Sequence, residues 1–138
     1  MTLVSLQNSI LLLELSHFRI ISDKERELPF PSDYHLNNLG SIIHSVNYKA
    51  DTLGLTIEQI ASEYFVRICC GHKLVDGNKR MAVISFGYFL EINKCSSAIT
   101  KTKLRNLAIT LSHEETSNVP VEVKVEYFHS IINGSFLY

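Results

Sequence analysis

Thr56-Ile57-Glu58-Gln59-Ile60-Ala61-Ser62-Glu63-Tyr64-Phe65-Val66-Arg67-Ile68-Cys69-Cys70 places apolar side chains at Ile57, Ile60, Ala61, Tyr64, Phe65, Ile68 and Cys69. Steps of three and four residues repeat along the whole run, the period of a helix with one buried stripe. Thr56 with Gln59 three residues on is a capping-box pattern, which puts the helix start at that threonine. Glu58, Glu63 and Arg67 are expected on the other face. Gly71 then stops the helix, and a polar, glycine-bearing loop runs to Gly77. From Asn78 to Asn93 the chain is apolar almost all round, through Met81, Ala82, Val83, Ile84, Phe86, Tyr88, Phe89, Leu90 and Ile92. A helix hydrophobic on every side is surrounded by others, so this one is expected at the centre of the fold.

Outward from this pair the pattern stays helical. A short helix is expected over Leu36 to Val46, with Leu39, Ile42, Ile43 and Val46 on one face. An apolar helix is expected from Ser5, a good N-cap, to Phe18. Between Ile20 and Tyr34 periodicity fails: Asp23 to Glu27 is a charge run, and Pro29 and Pro31 follow. Proline restricts the backbone on both sides of itself, so Leu28 to Ser32 is extended or turned. A solvated connector and a functional flap fit that segment equally well. Thr100 is placed to cap a helix whose inner face carries Leu104, Leu107, Ala108 and Leu111. Val121, Val123, Val125 and Tyr127 alternate with charges as in a strand, whereas Val121, Val125, Phe128 and Ile132 follow helical spacing. A lone strand has no sheet to join in a helical chain, and Pro120 suits a helix start, so helix is expected. The fold class is mainly α, a single-domain helical bundle spanning residues 1–138 with a loop or short hairpin as flap.

A chain of 138 residues is long enough to bury a core without staples. Thirteen basic against fourteen acidic residues leave a net charge of −1, without the basic footprint that nucleic-acid or anionic-membrane binding needs. The longest apolar stretch, Met81 to Leu90, is far below the ~20 residues of a membrane helix, and the N-terminus lacks a basic start and cleavage site. Three cysteines, two of them adjacent, are poor material for a disulfide framework and suit a reducing compartment. A cytoplasmic globule is expected.

The stretch that carries chemistry is Gly71-His72-Lys73-Leu74-Val75-Asp76-Gly77-Asn78-Lys79-Arg80. It joins the two clearest helices and ends in the first turn of the second. The opening N–H groups of a helix have no intrahelical acceptor and carry the positive end of its dipole. Gly77 allows a tight turn, while Asn78, Lys79 and Arg80 bring an amide and two cations to that end, which makes it a place for phosphate. Two basic residues in a first turn cost ~0.3–1 kcal/mol each through the dipole, a sign that a bound anion reverses. Asp76 beside a polyphosphate is the usual way to hold Mg²⁺. Histidine is the side chain whose unperturbed pKa lies near neutrality, so His72 is the candidate general base. Together these residues describe transfer of part of a nucleotide to a hydroxyl.

The constellation strongly resembles the Fic/Doc family, whose signature runs His-x-Phe-x-Asp/Glu-Gly/Ala-Asn-Gly/Lys-Arg. Here it reads His72, Lys73, Leu74, Val75, Asp76, Gly77, Asn78, Lys79, Arg80, with Leu74 where the family has Phe. The resemblance is strongest from Leu36 to Asn93. It implies the Fic/Doc fold, a compact helical bundle with a flap, here near Glu27 to Asp33, over the site. Lys79 in place of the second glycine, and Val83 in place of a second arginine, are features of the Doc (death-on-curing) toxin branch, which implies protein kinase activity. By that resemblance His72 is the base, Asp76 the Mg²⁺ ligand, and Gly77 and Asn78 contact the phosphates of ATP. Lys79 and Arg80 stabilise charge on the transferring group. The implied target is a protein hydroxyl, with a translation elongation factor of the Tu type as the best-known kind. A separate antitoxin chain is implied as inhibitor, since Thr110 to Glu114 only imperfectly matches the family's inhibitory motif. AMP transfer to a protein hydroxyl, and a catalytically silent binding relative, are the alternatives.

Other features point to ordinary roles. His17, His35, His44, His113 and His129 are scattered without ligand spacing, so no zinc site is expected. Cys69 and Cys70 end a buried helix and read as packing residues. Phe86, Tyr88 and Phe89 read as core, and Lys101, Lys103 and Arg105 as a solvated face.

Overall fold

A computed structural model describes Leu3, residues 33–71 and residues 78–138, with the backbone alone for 33–38. The helix expected over 5–18 and the connector or flap expected over 20–32 lie outside the described residues. Five α-helices, a 3-10 turn at Glu114–Thr116 and one two-stranded ladder form the described fold, which is mainly helical. Helix α1 spans Asp33–Leu53, α2 Ile57–Cys70, α3 Asn78–Ile92, α4 Lys101–Ser112 and α5 Val121–Ile132. Strands β1, Ser96–Ser97, and β2, Phe136–Leu137, pair antiparallel with Ser97 opposite Phe136. No helix among the described residues is long and apolar enough to cross a membrane.

The local signals in the chain act where they stand. Gln59 N–H donates to Thr56 Oγ1 at 3.2 Å and Thr56 N–H donates to Gln59 Oε1 at 2.9 Å, completing the capping box. Thr100 Oγ1 accepts from Lys103 N–H at 3.1 Å, and the inner face of α4 is Leu104, Leu107, Ala108 and Leu111, all buried. The ambiguous C-terminal segment is helix α5, entered from Pro120, with Val125, Phe128 and Ile132 buried.

Helix α1 is longer at both ends than the Leu36 to Val46 expected. Leu39, Ile43 and Val46 are buried, and Ala50 continues the stripe one turn beyond Val46. The polar residues between them hid that continuation. The helix ends at Gly54, whose φ of +62° is the left-handed conformation that closes a helix, and Leu55 N–H reaches back to the Ala50 carbonyl at 3.3 Å.

The expectation that Asn78–Asn93 sits at the centre is corrected: among the described residues α2 takes that place. It packs against α1, α3, α4 and α5, and every residue from Ile60 to Val66 is buried. On α3, Val83, Ile84, Tyr88 and Ile92 are only half-buried and Gly87 is exposed. Because α2 is covered on several sides, Glu63 on the face away from the stripe is also interior, 3% exposed. Lys49 Nζ on α1 meets its carboxylate at 2.5 Å and Arg67 Nε meets it at 2.6 Å, so the charge enters the interior with two cations. Tyr64, next along, donates its hydroxyl to Asn47 Oδ1.

The core is aromatic where α2, α3 and α5 meet. Phe65 and Phe128 stack with centroids 4.3 Å apart, and Phe86 meets both edge-on at 6.1 and 5.9 Å. Phe136 of β2 adds a further edge contact to Phe86. The ladder was not expected, because two residues per strand are too few to show alternation. Glu58, on the first turn of α2, accepts from Gly134 N–H at 3.0 Å and from the Tyr138 hydroxyl at 3.4 Å, holding the chain after α5 against the α2 start.

Lys94 turns the chain from α3 into β1 with φ of 55°, while Lys94 N–H donates to Glu91 O at 3.0 Å and Cys95 N–H to Leu90 O at 3.0 Å. This is the double bond pattern of a Schellman cap with a lysine where glycine normally sits. Left-handed backbone costs a side-chain-bearing residue ~1–2 kcal/mol, partly offset in glycine by unfolded-state entropy. Lys94→Gly should therefore raise stability by up to about 1 kcal/mol, seen as a higher urea midpoint at unchanged slope.

Candidate functional site

The site segment is bracketed by two helices that pack against each other. Helix α2 ends at Cys70, and Gly71 follows with right-handed dihedrals (φ −74°, ψ −20°). Helix α3, which packs against α2, opens at Asn78. His72, Asp76 and Gly77, together with Lys73, Leu74 and Val75, lie outside the described residues. The sequence-predicted residues that are described are Asn78, Lys79 and Arg80, and all three stand in the first turn of α3.

That turn carries no acidic side chain. Lys79 is exposed, and Asn78 and Arg80 are half-buried. Two cations at the positive end of a helix repel its dipole. Arg80 brings a planar fork suited to two phosphate oxygens, and Lys79 a compact point charge. Helix N–H groups, a guanidinium and an ammonium are a donor set that fits the phosphates of a nucleotide. On α2 the Cys69 thiol is pushed up by its hydrogen bond with Cys70, then by burial and the Cys70 charge, with the Lys79 charge a small opposing effect.

Side-chain chemistry that the sequence did not announce lies behind this end of the bundle. Cys69 and Cys70 have their sulfurs 3.5 Å apart. Cys69 is fully buried and Cys70 half-buried, so the packing role expected of the pair holds fully only for Cys69. The Cys70 thiol donates to the Leu111 carbonyl at 3.3 Å, and the Lys124 ammonium donates to the same oxygen at 2.8 Å. Lys124 is 7% exposed, an unusual depth for a lysine. Its place on α5 follows from helical spacing with Phe128, one turn on, but its partner on α4 had no local signal. Likewise the Glu63 cluster had only Arg67 at i+4 to reveal it.

No protein-family model matches the chain, and no curated protein matches it.

Proposed function

We propose that the chain is a Doc-like member of the Fic/Doc family, a single domain that transfers the terminal phosphate of ATP to a hydroxyl side chain of a target protein in the cytoplasm. The observation that carries this reading is the start of α3. A helix opens on Asn78, Lys79 and Arg80 with no carboxylate in its first turn, directly after a segment whose sequence supplies His72, Asp76 and Gly77. The helical bundle around it is compatible with the fold the resemblance implies.

In this reading His72 takes the proton from the target hydroxyl as its oxygen attacks the γ-phosphorus. The bond from that phosphorus to the β–γ bridging oxygen breaks and ADP leaves. Gly77 and Asn78 hold phosphate oxygens by their backbone and side-chain donors, and Lys79 and Arg80 offset charge on the transferring group. Asp76 would hold Mg²⁺, which when bound would neutralise part of the nucleotide's phosphate charge. The partners proposed are a protein substrate, with a translation elongation factor of the Tu type as the first to try, and a separate antitoxin chain.

The test uses two ATP samples, labelled at the α- or the γ-phosphate, each incubated with Mg²⁺, bacterial lysate and the protein. Label passing from the γ position to a protein band is the expected result. Passage from the α position would replace phosphorylation with adenylyl transfer. Transfer of neither label, across lysates from several bacteria, would favour a binding relative without catalysis.

A further inference from the structure

The two thiols that end α2 are not equivalent, and the difference has a direction. Cys70 is half-buried and Cys69 lies beneath it, fully buried, with its sulfur 3.5 Å away. A reagent from solvent meets Cys70 first, and Cys69 is already in contact with whatever forms there. Lys124 stands across a shared carbonyl oxygen, its ammonium 2.8 Å and the Cys70 sulfur 3.3 Å from Leu111 O. A buried cation beside a thiol favours the thiolate, which is the reactive form.

From this arrangement we infer that Cys70 and Cys69 form a thiol–disulfide exchange site, at which Cys70 takes up a low-molecular-weight disulfide and Cys69 resolves the adduct. In the first step the Cys70 thiolate attacks one sulfur of the disulfide. The disulfide bond breaks, one thiolate leaves, and it takes up the proton that Cys70 gave to water. In the second step Cys69 attacks the Cys70 sulfur, the bond from Cys70 to the small thiol breaks, and the departing thiolate takes the Cys69 proton. Two protein thiols lose two electrons, and the small disulfide gains them as two thiols.

The electrostatics order the steps in the same way. The hydrogen bond from Cys69 is the largest effect lowering the Cys70 pKa, opposed by burial and assisted by Lys124. Cys69 is pushed well up, first by that same hydrogen bond, then by burial and by the Cys70 charge. Once Cys70 is capped, both its charge and its demand for the Cys69 proton are gone. Lys124 and Lys79 remain to favour the second thiolate.

The product has a structural consequence. Adjacent Cα atoms across a trans peptide lie about 3.8 Å apart, short of the ~4.4 Å at which disulfides ordinarily begin. That distance is fixed by the peptide, so the bond closes a strained eight-membered ring, and the dihedrals this ring demands are not helical ones, which undoes the last turn of α2. The contacts from Cys69 to the Ala108 carbonyl and from Cys70 to the Leu111 carbonyl, which join α2 to α4, are lost with it.

The test is made in the full chain carrying Cys95→Ala, so that the only other cysteine is silent. It follows intact mass during incubation with oxidised glutathione. The expected course is a transient single glutathione adduct, then an adduct-free chain lighter by two hydrogens, with a lowered Tm. Adding Cys69→Ala should accumulate a stable adduct that peptide mapping places at Cys70. Adding Cys70→Ala should slow uptake at least tenfold. A persistent adduct while both thiols are present, equal uptake in the Cys70→Ala chain, or no uptake at all would each overturn the inference. Should either alanine variant fail to fold, the disappearance of the adduct in the parent chain decides alone. The readout is mass and does not depend on the transferase reading.

Discussion

Phe128→Ala should destabilise the protein by about 3–5 kcal/mol, the range for emptying a buried phenylalanine site. Phe128 is 0% exposed, stacks on Phe65 of α2 and meets Phe86 of α3 edge-on. Its removal leaves a cavity between three helices whose rings are fixed by one another, so collapse into the gap is limited. Domains of this size are stable by ~5–15 kcal/mol, so one substitution takes a large share of the total. Urea titration should show a lower midpoint with an unchanged slope. Tyr127→Ala is the control: that ring is 50% exposed, and its loss should fall within about 0.5 kcal/mol. The pair also decides the conformation of the segment. In a strand Val121, Val123, Val125 and Tyr127 would share the buried face and Phe128 would point away, so the two costs would be reversed.

Much of the fold was legible because its signals are local. The bonds at Thr56 and Thr100 join residues three apart, and the residue types alone announce them. The α5 helix was legible by a weaker route, the absence of any partner for a strand. What escaped depended on residues far apart in the chain. Glu63 looks solvated in any helical projection of its own segment, and becomes interior because Lys49 arrives from α1. The centrality of α2 escaped for the same reason: a charge inside it lowered its apparent hydrophobicity, while α3, richer in apolar residues, keeps one side only half-covered. In the site, the order of residues made the first turn of α3 legible as a cationic helix start. The thiol pair was legible only as packing, since Lys124 and the Leu111 carbonyl come to it from two other helices.

On the proposed phosphotransfer reading, His72→Ala should lower γ-phosphate transfer by about 10²–10⁴-fold, the usual worth of a positioned general base. The chemistry needs one group that can accept a hydroxyl proton near neutral pH, and an imidazole does so at its ordinary pKa of ~6.5. A base must be unprotonated to act, so transfer by the parent protein should fall as pH drops through the histidine range. The variant should lose that limb of the profile together with its rate. Arg80→Ala provides the contrast. It removes charge stabilisation without touching the base, so it should cost ~10²–10³-fold and keep the pH limb. The two substitutions therefore differ in the shape of the pH profile even where their rates are similar. Loss of rate in His72→Ala with the acid limb intact would move the base to another residue, and equal rates in parent and variant would remove His72 from the reaction.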